Sequence, residues 1–277
     1  MTLSLGFSPC PNDTFIFDAL VNNKFDRNGT NFSVQLADVE QLNKMAIEGV
    51  LDVTKLSFGV IPEVSDKYQI LDAGSALGRG CGPLLISREY IPADHEVLSQ
   101  LKIAIPGRKT TANLLLSMAF PGIWQKEEML FSEIEGAVLS GKVDAGLIIH
   151  ENRFTYQSKG LKKIIDLGEY WENKTNMPIP LGCIAIRRSL PDKLKKDVSV
   201  LIRKSIQSAF DHPEAPMDYV AAHSQEMSKE VMKKHIALYV NDYSLSLGNK
   251  GTEAIRLLLE TGLKNQLVRK SVEPLFV

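Results

Sequence analysis

With 277 residues, 44% of them hydrophobic, the chain has room for two compact units and can bury a core without staples. Lys and Arg total 32 against 33 Asp and Glu; the formal net charge of -1 leaves no electrostatic footprint for nucleic acid or an anionic membrane. The cysteines Cys10, Cys81 and Cys183 are far apart, odd in number and lack C-x-x-C spacing, so neither a zinc site nor a disulfide framework is indicated, and no apolar run approaches the roughly 20 residues of a membrane span.

Met1 to Phe7 alternates as a strand, with no basic n-region or apolar h-region, so a cytoplasmic location is expected. The polar loop Ser8-Pro-Cys-Pro-Asn-Asp13 follows, and a helix is predicted from Thr14. Asp38 to Gly49 reads as a helix with an N-cap Asp, a Gln three positions on and a closing Gly, and it leads into a strand over 51–58. Gly82 to Arg88 is a short apolar strand ending in Arg. Lys102 to Ile105, the loop Pro106-Gly-Arg-Lys-Thr110 and the apolar run Ala112 to Phe120 repeat the strand, loop and helix of the N-terminus. Ser132 to Gly141 repeats the capped helix, here with a Ser/Glu capping box, and leads into a strand over 143–149. Leu181 to Arg187 is a second short apolar strand ending in Arg. Beyond it, Leu190 to Asp211, Met217 to Met227, Lys229 to Val240 and Thr252 to Leu263 carry apolar residues at helical spacing, as in a helical layer on a sheet.

Both capped helices pass through G-x-[LV]-D-[VA], so Gly49 and Asp52 align with Gly141 and Asp144, and Phe58 aligns with His150. The echoes occur in a consistent order and predict an α/β chain with two lobes, each with mixed, mostly parallel strands. The Arg-terminated strands bracket the second lobe and serve as hinges: residues 1–88 with 181–277 form lobe one, and 89–180 form lobe two. In such sheets ligands bind beyond the carboxyl ends of the strands. The loops so selected are Ser8 to Asp13, Thr54 to Phe58, Arg108 to Asn113 and His150 to Arg153, and they would line a cleft between lobes.

Two readings stand at each candidate position. Thr110 or Thr111 either caps the helix or helps its free N–H groups hold a carboxylate. Lys55 and Ser57 either lie on a solvent-facing edge strand or meet a ligand. His150 is either a bland imidazole or a general base at a strand tip; it has no second histidine or cysteine at metal-ligand spacing, and His95, His212, His223 and His235 read as members of solvated faces. A Ser57–His150 nucleophile and base pair lacks the G-x-S-x-G elbow.

The stretches "SPCPNDTF" at Ser8 to Phe15, Asp52-Val-Thr-Lys-Leu-Ser57, Pro106 to Ala112 and Gly146-Leu-Ile-Ile-His-Glu151 resemble the 1,4-dihydroxy-6-naphthoate synthases of the futalosine route to menaquinone. The resemblance spans essentially the whole chain. It implies a periplasmic-binding-protein-like fold of the two-lobed, two-hinge type. It further implies a lyase without cofactor or metal that converts cyclic dehypoxanthinyl futalosine into 1,4-dihydroxy-6-naphthoate and dihydroxyacetone. Carried over residue by residue, His150 is the proton acceptor, and Asn12, Lys55, Leu56, Ser57, Thr110, Thr111 and Ala112 contact the substrate. The implied partner is this small molecule, with no nucleic acid and no membrane. The competing readings are chorismate dehydratase of the same pathway and a non-catalytic solute-binding protein on the same fold.

Overall fold

The computed structural model describes residues 1–224 and 228–277. Its strands are β1 Thr2–Phe7, β2 Asn31–Leu36, β3 Val53–Ser57, β4 Tyr68–Ile70, β5 Ala76–Gly78, β6 Leu84–Ser87, β7 Ile103–Ile105, β8 Lys126–Glu128, β9 Ala145–Ile148, β10 Lys162–Asp166 and β11 Ile179–Arg187. They form two mixed sheets: one six-stranded, in the order β2-β1-β3-β11-β4 with β5 also on β11, and one five-stranded, in the order β10-β6-β9-β7-β8. In each, a parallel trio (β2, β1, β3 and β8, β7, β9) is followed by one strand running against the rest, β11 or β6.

The internal echo has a physical basis in register. Leu5 lies opposite Val53 and Gly6 opposite Thr54, while Ile103 lies opposite Ala145 and Ala104 opposite Gly146. The aspartate of each G-x-x-D turn takes the N–H just before its partner strand's paired residues: Ser4 donates to Asp52 at 2.9 Å and Lys102 to Asp144 at 2.8 Å. Each carboxylate thus satisfies a backbone donor at a sheet end and pins the parallel register.

The two Arg-terminated strands, predicted as hinges, are the reversed strands β6 and β11. They divide between the sheets: β11 lies in the first and β6, placed by sequence with residues 1–88, pairs with β9 and β10 in the second. Tertiary pairing overrides sequence adjacency here, because β6 has apolar residues on both faces and needs neighbours on both edges.

Capping separates the two halves. Helix Val39–Glu48 starts on Asp38, which accepts from the Glu40 N–H at 2.8 Å, and closes on Gly49 at φ 72°. The predicted box at Ser132 does not form: Phe131–Glu133 is a 3-10 turn leading to helix Ile134–Leu139, without a side-chain cap. Glu135 is instead drawn inward, accepting from Asn152 and pairing with Lys159 at 2.6 Å. The C-terminal helices are Asp192–Asp211, Met217–His223, Lys229–Tyr239, the single turn Asp242–Leu245 and Gly248–Lys264; Met227, where the second was predicted to end, lies outside the described residues.

One apolar cluster runs through both sheets, taking in Leu56, Ile70, Leu85, Ile105, Leu147 and Ala185 together with Leu115 and Leu258 from helices. A second cluster packs Pro11–Val21 and Asp192–Asp211 on the far face of the six-stranded sheet. The two sheets are therefore closed on each other, and the loops after β1, β3, β7 and β9 meet between them.

Candidate active site

Those loops line a cleft whose space, the open solvent at its mouth included, is about 650 Å³. Asn12, Lys55, Leu56, Ser57, Thr110, Thr111, Ala112 and His150 all line it. Every candidate contact named from sequence thus reaches one space, joined there by Ser8, Asp13, Gly182 and Tyr239.

Lys55 is not on an edge. β3 lies between β1 and β11, and the ammonium is buried against Asp13 at 2.7 Å, the two side chains being 7% and 1% exposed. Asp13 also accepts from the Ser8 hydroxyl at 2.7 Å and the Asn12 amide at 2.8 Å. The carboxylate is held in the first turn of helix Pro11–Val21, whose Pro at the first position fixes φ for helix entry. Lysine has three donors and Asp13 takes one, so Lys55 retains donors for a ligand oxygen. Gly182 makes room for its stem: a Cβ there would sit 3.3 Å from Lys55 Cε and 2.9 Å from the Leu56 carbonyl.

Ser57 exchanges two bonds with the buried Asn43, its N–H donating at 3.0 Å and its hydroxyl accepting at 3.1 Å. That pairing, rather than a His150 partner, occupies the serine. Thr110 is the cap of helix Thr111–Ala119, accepting from the Asn113 N–H at 3.2 Å. The Thr111 hydroxyl spans the sheets, donating to the Leu181 carbonyl at 2.6 Å and accepting from the Gly59 N–H at 3.1 Å. Both threonine hydroxyls are engaged, so this helix offers a ligand its first free N–H groups, at Thr111 and Ala112. Glu40 closes the same edge by accepting from the Lys109 N–H at 3.1 Å, and burial raises its carboxyl above the ordinary value. Gly107, at φ 149°, lets the loop lie against that carboxylate.

His150 stands two residues beyond the end of β9, in a turn and in the left-handed region at φ 59°, a conformation that a leucine enters only with strain. The polar residues after it hold the turn in place. Glu151 and Asn152 are buried, Asn152 donates to Glu135, and Arg153 bonds both Asp166 and the Gly82 carbonyl at 2.6 Å. Phe131 meets the imidazole edge-on at 5.0 Å, and His235 stacks on it at 6.0 Å with 8° between planes.

His235 is the residue that sequence inspection misplaces on a solvated face; it is fully buried. A signal existed: Met232, His235, Ile236 and Tyr239 fall on one face of their helix, and all are buried. Burial, with the neighbouring His150 and Lys55, pushes the His235 imidazole well below its ordinary pKa, so it is neutral. Its tautomer follows from the chain of partners. A carboxylate only accepts, so the Asn12 amide nitrogen faces Asp13, and the Asn12 oxygen takes the Nε2–H of His235 at 2.9 Å. The His235 Nδ1 lone pair is left facing Glu151 at 3.7 Å.

Comparisons with known proteins agree with this architecture. The chain is 45% identical over 275 residues to a 1,4-dihydroxy-6-naphtoate synthase of Thermus thermophilus, covering 99% of both chains. It is also 45% identical over 272 residues to the enzyme of that name from Streptomyces coelicolor, covering 96% of this chain and 95% of that one. A solved structure from Archaeoglobus fulgidus superposes with a TM-score of 0.91 at 34% identity, over 96% of this chain and 98% of that one. An alkanesulfonate-binding protein of Xanthomonas axonopodis superposes with a TM-score of 0.73 at 14% identity, over 98% and 95% of the two chains, which marks the fold as periplasmic-binding-protein-like. No helix among the described residues is long and apolar enough to cross a membrane. Residues 3–264 match the family described as Menaquinone biosynthesis, and with relatives at this identity over nearly the full length, the chain belongs to that family.

Proposed function

We propose that the chain is a carbon–carbon lyase that splits cyclic dehypoxanthinyl futalosine into 1,4-dihydroxy-6-naphthoate and dihydroxyacetone, with His150 as the proton acceptor. The observation that carries this reading is the placement of His150: an imidazole on a strained, anchored turn that faces a cavity instead of filling the core. A substrate carboxylate would rest on the free N–H groups of Thr111 and Ala112, and Lys55 would direct its spare donors at a substrate oxygen. Asn12 and Ser57, both bonded to protein partners, would set the shape and polarity of the floor, and Leu56 its apolar wall. His150 then removes a proton beside a carbonyl, the developing negative charge falls near Lys55, and cleavage is drawn on by aromatisation of the naphthoate.

The chemistry as read asks for no cofactor, and the site of action is the cytoplasm. The lobes we assign are 1–82 with 179–277 and 83–178, so that β6 and β11 are the first strands on either side of the crossings. Closure around the substrate would come from the Thr111 and Glu40 contacts, which join the two sheets.

Incubation of the purified protein with cyclic dehypoxanthinyl futalosine or with chorismate, in buffer without added metal or nucleotide, tests the reading. The naphthoate chromophore should appear from the first substrate and be lost in a folded His150→Ala variant. Product from chorismate alone would establish the dehydratase instead, and tight binding without turnover of either would establish a solute-binding protein.

A further inference from the structure

Sequence spacing offers His150 no metal-ligating neighbour, but the fold supplies one. One ligand atom each from Cys10, His150 and Glu151 lies within 4.8 Å of the others, although Cys10 comes from the loop after β1 and the other two from the loop after β9. The carboxylate of Glu151 is more than nine-tenths buried, and its Oε2 has no hydrogen-bond partner among the described residues; the same is true of Nδ1 of the fully buried His235, 3.7 Å away. Two acceptor atoms buried face to face without partners are costly, and a cation held by the Glu151 carboxylate would relieve that cost on its side.

We propose that this end of the cavity binds a thiophilic first-row divalent cation, Zn²⁺, through Cys10 Sγ, His150 and Glu151, and that binding silences His150 by taking the lone pair it needs as a base. Thiolate, imidazole and carboxylate are the donor types that zinc takes, and three protein ligands leave a fourth position for water. The charges balance: Asp13 and Lys55 neutralise each other, so a Cys10 thiolate and the Glu151 carboxylate together offset the cation. Coordination releases the Cys10 proton to the buffer and involves no change of oxidation state. The inhibitory half rests on the reading of His150 as the base, whereas the binding half does not.

The test uses the full-length protein, stripped with chelator and desalted, and titrated with CoCl₂ as a spectroscopic stand-in. One equivalent of Co²⁺ should produce a thiolate-to-metal charge-transfer band that Zn²⁺ abolishes by displacement. Cys10→Ser should lose the band, Cys183→Ser should keep it, and Glu151→Gln should bind markedly more weakly; Cys10→Ala serves if the serine variant does not fold. In turnover assays, Zn²⁺ should inhibit the wild type at concentrations that Cys10→Ser withstands. Absence of the band, or a band that persists in a folded Cys10 variant, would overturn the site. A Cys10-dependent band with turnover unaffected by Zn²⁺ would overturn the silencing, whereas the assignment of His150 as base stands or falls on turnover of the metal-free His150→Ala variant.

Discussion

The Lys55–Asp13 pair makes a demanding test of the site's energetics. Lys55→Met keeps the length and apolar stem of the side chain but removes its charge, leaving a carboxylate only 1% exposed. Deleting one partner of a buried pair costs about 3–5 kcal/mol, because the remaining charge has neither water nor counter-ion. Asp13 retains the Ser8 hydroxyl, the Ser8 N–H and the Asn12 amide, so the cost should fall at the lower end, about 3 kcal/mol. That is a large share of the roughly 5–15 kcal/mol by which domains are stable. Asp13→Asn removes the other charge, and the double variant should be more stable than the sum of the single losses predicts, with a coupling of about 2 kcal/mol. Urea unfolding followed by far-UV circular dichroism gives the values, provided the slope against denaturant is unchanged. A loss below about 1 kcal/mol for Lys55→Met, the size of a surface ion pair, or strict additivity in the cycle, would refute the claim that burial makes this pair costly to break.

Thr111→Val should destabilise by about 1–3 kcal/mol, since the Gly59 N–H loses its acceptor and the Leu181 carbonyl one of its donors; an unchanged denaturation midpoint would count against the bridge. Gly182→Ala should cost about 1–3 kcal/mol through the contact with the Leu56 carbonyl and should also raise KM by shifting Lys55; wild-type stability and KM together would show that the space was not needed. Burial, with Arg108 nearby, pushes the Lys126 ammonium down from 10.5 to about 8. Between those values the unfolded chain holds the proton and the folded one does not, so stability rises with pH across the window and the charge is most costly below it. Relative to Lys126→Met, the wild type should therefore gain in Tm as pH climbs from about 8 to 10.5, and a constant difference in Tm would contradict the shift.

Local signals carry far in this chain. Asp38 and Gly49 mark a helix because one accepts a free N–H and the other enters the left-handed region without a side-chain clash. The repeated G-x-x-D turn marks a parallel strand because its aspartate binds the neighbouring strand's N–H. From these features alone the strand ends, and hence the position of His150 and the cavity loops, are legible. The tertiary structure decides what local chemistry leaves degenerate. Ser132 with Glu135 satisfies the pattern of a capping box, yet Asn152 and Lys159 compete for Glu135 and win, because a carboxylate under a sheet needs partners more than an exposed helix end does. Lys55 reads equally as edge or ligand contact until β11 covers β3 and Asp13 meets it from 42 positions away. His235 lies 223 positions from Asn12, so no local window reveals that its ring would be buried and its tautomer fixed there. The sequence by itself determined the strands that carry the four cavity loops, and with them the position of His150, but not the remaining strands of the two sheets; the pairing of buried charges and lone pairs around it was decided only by long-range packing, since such partners have no periodicity along the chain.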